Sequence, residues 1–168
     1  MAYSPSSPDK LTALQRELLS AFFEREARFF LTGGGALAGF YFAHRTTEDL
    51  DLFSAPGPSL EDASIALVAA AEACGAQTKP VRTFPEFRRL SVERPGETCI
   101  VDLVIDRAPS VEPTKAIFGK VRVDTLREIA ANKVCTLIGR SEIKDLVDLE
   151  RLVAAGIELE QAVNDAQK

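Results

Sequence analysis

The chain has 168 residues, 46% of them hydrophobic, and carries a net charge of −5. That length fits one domain, alone or with a helical appendage, and that composition excludes a disordered chain. The acidic balance excludes broad electrostatic binding to nucleic acid, which needs a surplus of Lys and Arg, but leaves a local basic patch open.

The first eight residues, MAYSPSSP, are polar and rich in proline and predict a loose N-terminus over 1–8. Ser7-Pro8 reads as a helix start, with Ser as cap and Pro in the first turn. Leu11, Leu14, Leu18 and Phe22 then recur at helical spacing. The run RFFLT reads as a short buried strand ending at Gly33-Gly34-Gly35. Beyond the glycines a helix is expected, with Leu37, Phe40, Tyr41 and His44 on one face and His44-Arg45 closing it. DLDLF alternates polar and apolar residues, as a half-buried strand does. An alanine-rich helix follows and stops at Gly75.

Strands are expected over 76–83, 87–93 and 98–105, with a turn at Pro95-Gly96. A helix with Asp124 as cap ends at Gly139, a second starts near Ser141 and Glu142, and a short third follows Gly156. The prediction is an α+β fold, a mixed β-sheet flanked by helices with a helical C-terminal part. Its parts are 1–8 flexible, 9–108 core and 109–168 helical, the last packed on the core.

No charged-then-apolar leader and no membrane-length apolar run is present, so the expectation is a soluble, cytoplasmic protein with no membrane partner. Cys74, Cys99 and Cys135 are odd in number, far apart and set in apolar stretches. They predict reduced core thiols, without disulfides or zinc. A lone histidine, His44, excludes a multi-histidine metal centre. Lys79, Arg82, Arg88 and Arg89 form either a basic patch or a solvated sheet edge.

On a strand, Asp49 and Asp51 point one way while Leu50 and Leu52 point the other. Two such carboxylates repel each other unless a cation neutralises them, and Mg²⁺ takes oxygen ligands of this kind. The plainer reading is a solvated strand end. Asp102 lies inside the apolar run CIVDLVID, where an unpaired carboxylate is costly. It either accepts structural hydrogen bonds or joins Asp49 and Asp51, if their strands are neighbours. Three converging carboxylates are what a two-metal site requires. Gly33, Gly34 and Gly35 let the backbone approach a phosphate at a helix N-terminus; a tight strand–helix turn explains them equally. Lys133 falls on the apolar face of its helix and Asp145 on that of the next, with Asp148 a turn further on. Either the lysine and Asp145 form a buried ion pair, or Lys133 reaches nucleotide phosphates. Arg45 either reaches phosphates or complements a helix C-terminus.

The segments LTGGGALAGFYFAHRTTEDLDLF, IVDLVID and DTLREIAANKVCTLIGRSEIKDLVDL, in that order, resemble the AbiEii/AbiGii-type toxin nucleotidyltransferases of the DNA polymerase β-like superfamily. The resemblance covers roughly residues 28–153. It implies a nucleotidyltransferase fold and Mg²⁺-dependent transfer of a nucleotide from an NTP to an acceptor hydroxyl. It also implies an RNA or tRNA acceptor and a cognate antitoxin as partner. Gly34 and Gly35 match the family's glycine motif, and Asp49 and Asp51 its metal-binding DxD. Lys133, Asp145 and Asp148 match its lysine and Asp-x-x-Asp element, and Asp102 the third carboxylate. One departure is Gly35, where the family often has serine, which leaves backbone alone to contact phosphate. The resemblance implies metal ligation by Asp49, Asp51 and Asp102, and nucleotide contacts from Gly33, Gly34, Gly35, Arg45, Lys133 and Asp148. It also implies catalytic roles for Lys133 and Asp145. Two other functions are compatible with the residues: an antibiotic-type nucleotidyltransferase acting on a small molecule, and a non-catalytic nucleotide-binding module.

Overall fold

The computed structural model describes residues 9–140 and 142–168. The loose N-terminus, the Ser7-Pro8 helix start and Ser141 lie outside these residues. The chain forms two compact units. The first extends through Ala108 and takes in Ile117–Val123; the second is Pro109–Ala116 with Asp124–Lys168.

The first unit begins with α1 (Ala13–Phe23), β1 (Phe30–Thr32) and α2 (Gly33–Ala36), the last continued by a π-helical turn (Leu37–Tyr41). Then follow β2 (Asp49–Ser54), α3 (Leu60–Ala73), β3 (Gln77–Phe84), β4 (Phe87–Arg94) and β5 (Glu97–Ile105). Two short strands, β6 (Ala116–Phe118) and β7 (Val121–Val123), complete a seven-stranded sheet of order β3-β4-β5-β2-β1-β7-β6. β2 runs parallel to β5 and β1 to β7, while β1–β2, β3–β4 and β4–β5 are antiparallel. The mixed sheet flanked by helices is the predicted class. The sequence reading has no strand over 116–123: three-residue strands are too short to show a period.

Alternation in β2 does what the sequence predicts. Leu50 and Leu52 are buried while Asp49 and Asp51 are half-buried. Register places Leu50 beside Val101 and Leu52 beside Leu103, and this apolar row is sealed from water. α1 and α3 pack on the sheet. α1 starts at Ala13, two residues beyond the first apolar position, because Thr12 and Gln15 form a reciprocal capping box. Leu14, Leu18 and Phe22 form its buried face.

The helix after the glycines is shorter than expected. It ends at Tyr41, and Ala43 takes φ +49, a left-handed conformation unusual for a residue with a Cβ. His44 and Arg45 therefore belong to the loop that follows, and the four-residue face through His44 is not formed. Phe40 and Tyr41 pack instead on the Phe118 ring, at 5.4 and 5.5 Å between centroids.

The second unit holds α4 (Leu126–Gly139), α5 (Ile143–Ala154) and α6 (Leu159–Asp165). α4 packs on both others. Thr125, not Asp124, caps α4, its hydroxyl accepting from the Glu128 N–H at 3.2 Å. Asp124 is buried and accepts from Lys115 at 2.8 Å. The thiols also divide: Cys99 is buried and its thiol pushed up to about 12 by desolvation, whereas Cys135 is exposed, contrary to the expected core position.

Candidate active site

The site residues of the first unit gather where β1, α2, β2 and β5 meet. β1 and β2 pair so that Thr32 stands opposite Asp51, and β2 and β5 so that Asp51 stands opposite Asp102. β4 adds Arg89 opposite Asp102. Residues in register share a face, so Arg89, Asp102, Asp51 and Thr32 form one polar row across four adjacent strands. Asp49 lies two residues from Asp51 on the same face. The condition left open by the sequence, that the strands of Asp49–Asp51 and Asp102 be neighbours, is met.

Asp102 has a partner that sequence reading missed. Arg89 Nε donates to Asp102 Oδ1 and Arg89 Nη2 to Oδ2, both at 2.7 Å. Such a fork-on-carboxylate pair is strong and geometrically specific. Asp102 holds the guanidinium's protonation firmly above its ordinary range, with smaller contributions from the fields of Asp49 and Asp51. Among the described residues, no three His, Cys, Asp or Glu side chains form a metal-binding group. The expectation of three converging carboxylates thus meets a guanidinium bound to the third of them. The only hint in the sequence was FRRL, an arginine pair in a strand facing an apolar strand with one acid.

The glycines occupy the other side of Asp51. Gly33 has φ +63, and a Cβ there would stand 2.6 Å from Asp51 Oδ2. Glycine is thus required twice over, by backbone conformation and by the carboxylate against it. A Cβ on Gly34 would meet the Arg45 guanidinium at 2.5 Å. Arg45, in the loop after Ala43, folds back onto the glycine turn and donates from Nη1 to the Thr46 carbonyl at 3.0 Å. Gly35 is a packing position, facing Leu50 and Leu31 side chains at 3.2 and 3.4 Å. The result is a backbone cradle with a carboxylate on one side and a guanidinium on the other.

That donor set suits a hard divalent cation that shares its ligands with a phosphate. Asp49 and Asp51 supply oxygen, and the bare Gly33 backbone stands directly against the Asp51 carboxylate, where a side chain would intrude.

The site residues of the second unit form a cluster of their own. Lys133 Nζ, on α4, lies 2.8 Å from Asp145 Oδ1 and 2.8 Å from Asp148 Oδ2, both on α5. The lysine is nearly buried and both aspartates are completely so. The ion pair weighed for Lys133 and Asp145 is present, extended by Asp148. Asp145 Oδ2 accepts no hydrogen bond among the described residues, and Arg140 Nε stands 3.5 Å from it. Of the four basic residues in KPVRTFPEFRR, three lean on acids: Lys79 on Glu93, Arg88 on Glu61, and Arg89 on Asp102.

A family model described as "Nucleotidyl transferase AbiEii toxin, Type IV TA system" matches residues 16–168. Two crystal structures from Helicobacter pylori share the fold. A candidate nucleotidyltransferase superposes with a TM-score of 0.67 at 19% identity, covering 88% of this chain and 70% of its own. JHP933 gives 0.64 at 20%, covering 88% and 68%. No curated protein sequence matches the chain.

Proposed function

The chain belongs to the AbiEii nucleotidyltransferase toxin family of type IV toxin–antitoxin systems, and from that premise we propose that it transfers a nucleotide from an NTP to an acceptor hydroxyl on RNA, with tRNA as the favoured class. The single observation that carries the reading is the opposition of Asp51 to the Gly33 turn, with Asp49 beside it. The cation of the reading is Mg²⁺, held by Asp49 and Asp51; when bound, it would screen the triphosphate charge.

The acceptor oxygen forms a bond to the α-phosphorus as the bond to pyrophosphate breaks. Most of the work is positioning and charge neutralisation. Backbone N–H groups behind Gly34 and Gly35 receive phosphate oxygens, and the Arg45 guanidinium beside Gly34 supplies a positive charge there. Within the helical unit, taken by itself, Lys133 is assigned to nucleotide charge, and Asp145 and Asp148 hold its ammonium. A cognate antitoxin is the partner the family implies. The reading puts the enzyme in the cytoplasm, where NTPs are made. Among the described residues, no helix is long and apolar enough to cross a membrane.

The test is incubation of the protein with each labelled NTP, Mg²⁺ and total RNA, beside an Asp51→Ala variant. Label passing to RNA with the native chain and not with the variant supports the reading. No transfer from any NTP, with an active control enzyme in parallel, sinks the RNA acceptor. The net charge of −5 favours a second acceptor class, a small cationic hydroxyl compound. Label appearing on such a compound and not on RNA would identify it.

A further inference from the structure

We propose that Arg89 stands in for a second metal ion: by clamping Asp102 in register with Asp51, it restricts the carboxylate face to one divalent cation. The inference rests on the nucleotidyltransferase reading and adds a positioning residue to it. Three observations carry it.

The first is register. Arg89, Asp102 and Asp51 occupy the same level on β4, β5 and β2, so the guanidinium lies on the face that bears the acid pair. The second is engagement. Both Asp102 oxygens accept from Arg89 at 2.7 Å, and the Asp102 side chain is only 8% exposed. For Asp102 to ligate a cation as well, that cation would have to approach a fixed guanidinium, which it repels. The third is the charge balance. Arg89 neutralises Asp102, so the third carboxylate of the row brings no net negative charge to attract a second cation. The arginine is itself well anchored: its Cζ lies 5.8 Å from the centre of the Phe87 ring. At 34% exposure, its side chain still presents donors to an incoming group.

A two-metal site holds its ions roughly 3.5–4 Å apart, close enough for their electron spins to couple. Mn²⁺ therefore distinguishes the alternatives by electron paramagnetic resonance, without turnover. The full chain is mixed with Mn²⁺ and a non-hydrolysable α,β-methylene NTP, and the bound-ion spectrum is recorded. The expected spectrum is that of one isolated Mn²⁺ per chain. Asp102→Asn should leave it unchanged, because Asp102 is not a ligand. Arg89→Met should add a spin-coupled pair, and Arg89→Met with Asp102→Asn should return the isolated ion.

A coupled pair in the native chain that Asp102→Asn abolishes overturns the proposal while leaving the nucleotidyltransferase reading intact. Bound nucleotide with no protein-held Mn²⁺ overturns both. A folded Arg89→Met chain without a coupled pair overturns the exclusion. If Arg89→Met fails to fold, Asp102→Asn decides alone: loss of the single ion in that variant overturns the proposal.

Discussion

Gly33 is the residue where sequence, backbone and site coincide. It is the one glycine of the triplet with positive φ, and its missing Cβ leaves room for Asp51 Oδ2. Gly33→Ala forces a left-handed alanine, at a cost of about 1–2 kcal/mol. It must also push the Asp51 carboxylate away, because the contact would be 2.6 Å. The expected outcome is a modest drop in the urea midpoint and a disproportionate fall in transfer, roughly 10²-fold for a carboxylate displaced by about an ångström. Gly35→Ala is the internal comparison. Its neighbours are Leu50 and Leu31 side-chain carbons at 3.2 and 3.4 Å and the Asp49 backbone carbonyl at 3.5 Å, so it should perturb packing and leave the carboxylates in place. Equal losses of transfer in the two variants would contradict the role given to Gly33. Asp49 and Asp51 were legible as a pair because strand geometry puts alternate residues on one face whatever the neighbours do. Arg89 was not legible as a partner of Asp102, because that contact depends on the β4–β5 register. Nothing in the string FRRL says which arginine faces which acid.

Elements explain what periodicity could and could not show. The α4 and α5 patterns correctly turned Lys133 and Asp145 inward, and their apolar faces left the lysine few partners besides an acid. That Asp148 joins them follows from the i, i+3 spacing on α5, where both carboxylates project from one side toward α4. The helix after the glycines was read too long because its apolar spacing continues past the point where Ala43 reverses the chain. Strands β6 and β7 were missed because three residues carry no period. The same cluster on α4 and α5 sets a stability prediction. Lys133→Met deprives two fully buried carboxylates of the ammonium they share, leaving Arg140, 3.5 Å from Asp145, as a more distant counter-charge. Removing one member of a buried ion pair costs about 3–5 kcal/mol, much of it from the uncompensated charge left behind. Chemical denaturation should show a loss of that order, and Lys133→Met combined with Asp145→Asn and Asp148→Asn should recover most of it. A Lys133→Met chain as stable as the native one would mean that the cluster is worth little to the fold.

At the scale of the whole molecule, the two units rest on different balances of apolar burial and charge. The sheet unit has a deep apolar core, with Phe22, Phe29, Leu31, Leu50, Leu52 and Leu103 all but inaccessible. It also has depressed carboxylates, such as Glu26 beside Arg28, and Glu97, which accepts the Leu14 N–H and pairs with Arg94. The helical unit has a smaller fully buried apolar set, chiefly Ile129, Ala130 and Leu152. It leans on buried acids: Asp124 with Lys115, Asp145 and Asp148 with Lys133, and Asp165 with Arg127. Arg127 first, and then Lys168, hold the Asp165 carboxyl well below the usual carboxylate range. A carboxylate depressed in the folded state stabilises fully above its unfolded pKa, about 3.9 for Asp. As pH falls below that value the unfolded chain binds the proton first, and the contribution is lost progressively until the folded group protonates as well. The sheet unit loses such contributions too, but its deeper apolar core holds it in reserve, so acidification should loosen the helical unit first. Hydrogen exchange followed by mass spectrometry, stepped from about pH 5 downward, should show α4 and α6 losing protection ahead of β2 and β5, after correction for the intrinsic pH dependence of exchange. Asp165→Asn removes the depressed group, so it should lower protection at neutral pH and flatten its decline with acid in α6. Simultaneous loss of protection in both units, unchanged by Asp165→Asn, would show that the apolar core of the sheet and the charge clusters of the helices open as one cooperative structure.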